Sequence, residues 1–261
     1  MVGIQHGKIH PTAMIAENVE IGRNVTIGAH CIVYDHVVLE DNVIVGPNSS
    51  IGEPLADYYL GQDYTNPQLT IGRNSLIRSN AIIYAGSIIG QHFECGHRVT
   101  IRENTKIGDN CRIGTLCDIQ GHCQFGEYVQ LHSNVHIGQK SVIGNFVWIF
   151  PYVVLTNDPH PPSNYLHGVV IEDFAIVATM SVIMPGVTIG KDALVGAHTL
   201  VRKDVPPEMV VVGNPGKEIT NIRSIKSKET GEEVYPWRYH FDRGMPWQGM
   251  GYDTWKNKQA T

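Results

Sequence analysis

From Ile9 onward a large aliphatic residue returns at every sixth position. It recurs at Ile15, Ile21, Ile27, Val33, Leu39, Val45 and Ile51, and resumes at Ile71 through Leu155 and again at Ile171 through Val201. This makes 29 hexads, of which only Cys95 and Phe125 depart from Ile, Val or Leu. A period of six is neither the 3.6 of an amphipathic helix nor the 2 of a simple strand. It predicts a short strand and a turn per hexad, with the aliphatic residue pointing into a corner of a coil. Four residues later comes a small or β-branched residue, as at Val25, Ala81, Ser141, Ala175 and Val187, where inward space is tight. Gly follows the aliphatic residue in 14 of the 29 hexads, as at Gly22, Gly108 and Gly190. The expectation is that it supplies backbone conformations that a Cβ forbids. One hexad cannot bury its apolar face alone, so coils must stack. Three hexads close one triangular coil, and 29 of them predict about ten coils.

Two stretches break the register. The first follows Ile51 and carries Tyr58, Tyr59 and Tyr64; the second follows Leu155 and carries Thr156-Asn157-Asp158-Pro159-His160-Pro161-Pro162. Lost register and prolines predict loops thrown out from a corner. The organisation expected is a β-helix over residues 1–206, with loops near 53–70 and 157–170, and an extension over 207–261. The aromatic residues of that extension, Tyr235, Trp237, Tyr239, Phe241 and Trp247, are expected to pack on the rod or on a neighbouring subunit.

The composition narrows the partners. In 261 residues there are 27 Gly, 17% charged residues and a net charge of −5, so no basic field invites nucleic acid. No apolar run reaches the roughly 18 residues of a membrane span. Met1 to Pro11 lacks a charged segment followed by an apolar one, so no secretory signal and a cytoplasmic location are expected. The five cysteines are an odd number: Cys31, Cys111, Cys117 and Cys123 take the small inward position and Cys95 the large one. They read as buried inert thiols, and steps of six place Cys111, Cys117 and Cys123 on different walls, away from a shared ion.

The repeat over Ile9 to Pro206 resembles the hexapeptide-repeat acyltransferase superfamily. The resemblance implies a left-handed parallel β-helix, a homotrimer, and acyl transfer from acetyl-CoA in grooves between subunits, without a metal. Val212-Gly213-Asn214-Pro215-Gly216-Lys217 resembles the exit turn of the acetyl-CoA-dependent members. The resemblance puts Ala178 and Ala197 along the pantetheine path, and Arg202, Lys203, Asn214 and Lys217 near the donor's phosphates. The γ-type carbonic anhydrases share the fold and need three zinc histidines. His92 and His97 have the right spacing for two, but Tyr128 and Ser133 stand two coils further on.

Segment Leu131-His132-Ser133-Asn134-Val135-His136-Ile137-Gly138 matches the motif that carries the superfamily's general-base His. The register puts Ser133 at the base position and Asn134 on its neighbour, with His132 and His136 off the position. A neutral amine attacks a thioester without prior deprotonation, whereas an alcohol needs a base. The missing His therefore favours N-acylation. Leu76 to Asn80, Gly96 to Arg102, Leu131 to Gly138, Pro151 to Pro162 and Tyr235 to Phe241 look like segments of the N-acetyltransferases that act on dTDP-3-amino-3,6-dideoxyhexoses. That likeness implies roles at the reaction centre for Asn157 and Asp158, with Gln139 one coil below where the group shows Glu. The acceptor implied is a nucleotide-linked amino sugar. Arg78, Arg98 and Arg102 are expected to share one side of its groove, with Asn80 nearby and Tyr84 stacking on a pyrimidine. The competing reading is an Arg–Glu network with Glu94 or Glu103. At the level of function, the competitors are a carrier-protein-dependent or O-acyl transferase and a non-catalytic rod.

Overall fold

The computed structural model describes residues 7–259. The hexads fold as predicted into a left-handed parallel β-helix, a triangular prism of about ten coils. Its three walls are parallel sheets. Wall 1 runs from strand Met14–Ile15 to Leu200–Val201, and wall 2 from Glu20–Ile21 to Thr188–Ile189. Wall 3 runs from Thr26–Ile27 to Leu194–Val195 and gains strand Met209–Val212, to which Lys217–Asn221 adds antiparallel. Each strand pairs with the one a coil above, as Ile119 does with Ile137 and Ile137 with Leu155. The periodic aliphatic residues line one continuous core, most of them completely buried. Each stabilises the fold by about 2 kcal/mol relative to exposure.

All five cysteines are buried and unpaired, at the inward positions that the register predicts. Four of the thiols reach carbonyls of the next coil, among them Cys111 to Gly126 at 3.1 Å and Cys117 to His132 at 3.0 Å. Burial pushes the Cys95 and Cys111 thiols up to about 12 and those of Cys117 and Cys123 to about 11.

The reason for the recurrent Gly differs from the expectation. Of the 14 that follow an aliphatic residue, only Gly52 has a positive φ. A Cβ on Gly114 would instead lie 2.4 Å from the His132 carbonyl carbon, and one on Gly72 2.5 Å from the backbone of Gly90 and Gln91. The constraint is the backbone of the next coil. The left-handed position lies two residues later and is held by non-glycine residues such as Asn24, Asn42, Asn74 and Asn110. Asparagine tolerates that conformation through its short polar side chain.

Both interruptions leave from the edge where wall 1 turns into wall 2, hereafter the 1–2 edge. The first contains a short helix, Ala56–Tyr59, and is tied down by Asn66, whose amide donates to Gly52 and Asp35 carbonyls. At the 2–3 edge, the left-handed positions hold Tyr128, Phe146 and Phe174 as a face-to-face stack with centroids 5.1 and 5.0 Å apart. The C-terminal extension folds back onto this stack and buries Trp237, Met245 and Trp247. Arg238 forms a buried ion pair with Asp192 and lies 4.5 Å above the Phe174 ring. The extension thus packs on its own rod.

The secretory-signal expectation rests partly on Met1 to His6, which lie outside the described residues. Among those described, no helix is long and apolar enough to cross a membrane.

Candidate functional site

The predicted site residues fall on two edges that flank wall 1. The 1–2 edge carries Tyr84, Arg102, Gln139, Asn157 and Asp158. Pairing of Ile137 with Leu155 sets Gln139 directly below Asn157, and a Cβ on Gly138 would sit 3.2 Å from that of Asn157. The Asn157 carbonyl accepts from the His167 amide at 2.8 Å, closing the loop. Asp158 serves that loop: it accepts from the Ser163 hydroxyl at 2.7 Å and from the Ser163 and His160 amides. The Ser163 hydrogen bond leads in holding its carboxyl below the ordinary carboxylate range.

The opposite edge, where wall 3 turns into wall 1, carries Asn80, Arg98, His132, Ser133 and Asn134. His132 stacks on Phe150 with centroids 4.6 Å apart, and burial pushes its imidazole down towards the neutral form. Ala178 and Ala197 lie higher on the same edge. Arg202 and Lys203 extend from the last turn of the 1–2 edge, Asn214 belongs to the exposed turn between the last two strands, and Lys217 opens the last strand.

The three arginines do not share one side. Arg78 lies where wall 3 meets its edge, and Arg98 one coil further at that same edge. Arg102 lies beyond wall 1, because four residues past Arg98 the chain has crossed that wall. Arg78 reaches Glu94 at 3.4 Å and Arg102 reaches Glu103 at 2.7 Å, so the Arg–Glu pairs of the competing reading exist. Tyr84 lies beneath the Arg102 guanidinium, 4.9 Å from it, which gives its ring face a partner already.

One arrangement was missed in the linear sequence. His136 faces outward on wall 1, and its Nδ1 donates to Asp118 at 3.1 Å. Gln120 also donates to that carboxylate, at 2.8 Å. The His136 hydrogen bond leads in keeping the Asp118 carboxyl below its ordinary value. An imidazole oriented by a carboxylate is the geometry of a general base. The signal for it was the separation of 18 between positions 118 and 136, one full coil. No group of three or more His, Cys, Asp or Glu placed to hold a metal occurs among the described residues.

A groove lies elsewhere, on the outer face of wall 3. Its volume is about 600 Å³, and its floor includes Arg78, Glu94, Arg112, Gln130 and Trp148. Ser133 and His97 line one side, and Phe241, Arg243 and Met245 of the extension line the other.

Comparison with known proteins agrees with this architecture. The family described as bacterial transferase hexapeptide (six repeats) matches residues 18–53. This chain is 32% identical over 117 residues to the galactoside O-acetyltransferase of Escherichia coli K12, covering 36% of this chain and 58% of that enzyme. It is 32% identical over 102 residues to the 2,3,4,5-tetrahydropyridine-2,6-dicarboxylate N-acetyltransferase of Staphylococcus aureus, covering 39% of this chain and 36% of that enzyme. The chain therefore spans between about a third and three fifths of these curated relatives. Among solved structures, the Arabidopsis UDP-N-acetylglucosamine acyltransferase matches the fold with a TM-score of 0.58 at 20% identity, covering 82% of this chain and 74% of that one.

Proposed function

We propose that this chain is an acetyl-CoA-dependent acyltransferase that acetylates the amino group of a nucleotide-linked amino sugar, of the dTDP-3-amino-3,6-dideoxyhexose kind. The observation that carries the reading is the pairing of Asn157 over Gln139 beside the outward dyad of Asp118 and His136. The curated relatives, named as O- and N-acetyltransferases, support the reaction class.

In this reading the neutral amine attacks the thioester carbonyl carbon directly. A tetrahedral intermediate forms, the C–S bond breaks, and CoA leaves as its thiolate. One proton passes from the amine nitrogen towards the departing sulfur, and His136 is placed to accept it on the way. Asn157 and Gln139 orient the amine, because their amides both donate and accept. The two halves of the site flank wall 1, so the assembly that unites them is a trimer with wall 1 facing its axis. The edge bearing Ser133 then meets the neighbour's edge bearing Asn157. Wall 1 suits this, since Glu53 and Asp118 are the only carboxylate- or ammonium-bearing residues in its strands from Met14 to Leu200, and Ile82 is exposed. Closed cyclic assembly of this kind is common. The donor would lie along the upper coils, by Ala178 and Ala197, with Arg202, Lys203, Asn214 and Lys217 towards its phosphates.

The dyad equally serves a hydroxyl acceptor, which makes O-acetylation the second reading. Thiol release from acetyl-CoA, with the 3-amino sugar nucleotide and its 3-hydroxy analogue, separates the two. Turnover of the amine alone, with kcat lowered about 100-fold in His136→Gln, is the expected result. Turnover of the alcohol alone establishes the second reading. Turnover of neither sinks both and returns the carrier-protein and non-catalytic alternatives.

A further inference from the structure

A second chamber of about 360 Å³, walled by Phe150, Tyr235, Trp237 and Ile176, adjoins the groove on wall 3. The two chambers share His132, Trp148, Phe241 and Arg243. They differ in chemistry. The larger holds three guanidiniums, of Arg78, Arg112 and Arg243, against the single carboxylate of Glu94, which Arg112 approaches at 3.1 Å and Arg78 at 3.4 Å. About two positive charges are left over, on side chains that remain open to solvent. The smaller is aromatic on most sides and has Arg243 as its only charge. Arg243 stands where they join, 5.7 Å from the Phe241 ring.

A ligand that fills both must be planar and apolar at one end and doubly anionic at the other. Planar bases stack on aromatic side chains for about 1–3 kcal/mol each, and guanidiniums bind phosphate oxygens bidentately. The chamber sizes fall within the range of small-molecule sites. We propose that this groove, built within one protomer between wall 3 and the C-terminal extension, binds a nucleoside 5′-diphosphate. The choice of a nucleotide over another anionic aromatic rests on the acceptor reading above, which this site deepens. The base enters the aromatic slot, and the diphosphate lies between Arg243 and Arg112. The extension is then a binding element, and the nucleotide is held away from the 1–2 edge of its own subunit. The same chemistry exists in two sources, the acceptor's nucleotide and the 3′-phospho-ADP end of the acyl donor.

Calorimetric titration of the full chain with dTDP, with adenosine 3′,5′-bisphosphate and with pyrophosphate tests this. The expected result is saturable dTDP binding, weakened about tenfold or more in Arg243→Gln and in Arg112→Gln at unchanged Tm, with pyrophosphate binding much more weakly. Preference for the bisphosphate, with the same losses in both variants, supports the site and assigns it to the donor. Absence of binding by either nucleotide, binding indifferent to Arg243→Gln, or pyrophosphate binding as tightly as dTDP overturns the inference. Binding through Arg243 without turnover of either sugar leaves the site standing and removes the acceptor reading. Turnover with KM unchanged in Arg243→Gln does the reverse.

Discussion

At the scale of single residues, the 2–3 edge shows how side chains stabilise a repeated left-handed turn. Asn24 donates to Asn42 at 2.9 Å, and Asn42 donates to Asn74 at 3.0 Å, forming a ladder along the rod. The next rung is His92, also at positive φ, and above it stands Asn110. An exposed imidazole at that rung interrupts the amide-to-amide chain. His92→Asn is expected to restore it and to stabilise the protein by about 0.5–1 kcal/mol, raising the Tm by about 1–3 °C. Calorimetric melting checks this, and a Tm equal to or below that of the parent would show that the ladder carries no stability. Trp148 presents a different residue-level fact: its Nε1 is buried without a hydrogen-bond partner among the described residues.

At the scale of elements, the loop after Leu155 depends on how its end rejoins the coil. A Cβ on Gly168 would fall 2.0 Å from the Lys140 carbonyl oxygen, which is rigid backbone. The chain comes down onto the turn of the coil below at this point, and only a hydrogen on Cα fits. Gly168→Ala must therefore displace the loop base, at a cost of about 1–3 kcal/mol from overpacking. Because Asn157 is tied to this return segment through the His167 amide, the expected kinetic result is a loss of kcat beyond the change in folded fraction. Urea unfolding and the thiol-release assay, run together, decide it. A variant with full activity and an unchanged midpoint would mean that the loop base tolerates a methyl group.

At the scale of the whole molecule, the extension and the rod are joined by aromatic packing and one buried ion pair. The Arg238 and Asp192 side chains are 9% and 5% exposed, so neither charge has water to fall back on. Removing one partner of such a pair leaves the other uncompensated, at about 3–5 kcal/mol. Asp192→Ala is expected to lose that much and to loosen the extension, exposing Trp247 to fluorescence quenchers. Asp192→Ala combined with Arg238→Met should recover part of the loss, because no lone charge remains. If the single variant quenches and melts like the parent, the pair does not hold the extension. A loosened extension also opens the wall 3 groove, so nucleotide binding should weaken with it.

The hexad period was enough to determine the coil, the core, the positions of both loops and the inward placement of the five cysteines. A repeat with one buried face admits few alternatives, and every copy restates the same packing demand. The register also settled that Asn157 stands above Gln139, since a distance of one coil can be counted along the chain. The left-handed positions were not read from the sequence, which pointed to Gly two residues too early. Tyr128, Phe146 and Phe174 gave no signal, because their cost is offset by stacking on one another and under an extension that arrives from 60 to 100 residues away. The role of the glycines and the groove beneath Phe241 and Arg243 were decided by tertiary structure alone. Each depends on which wall a side chain faces and what the next coil or the returning tail brings beside it. Those are distances across the chain, and a pattern along it does not contain them.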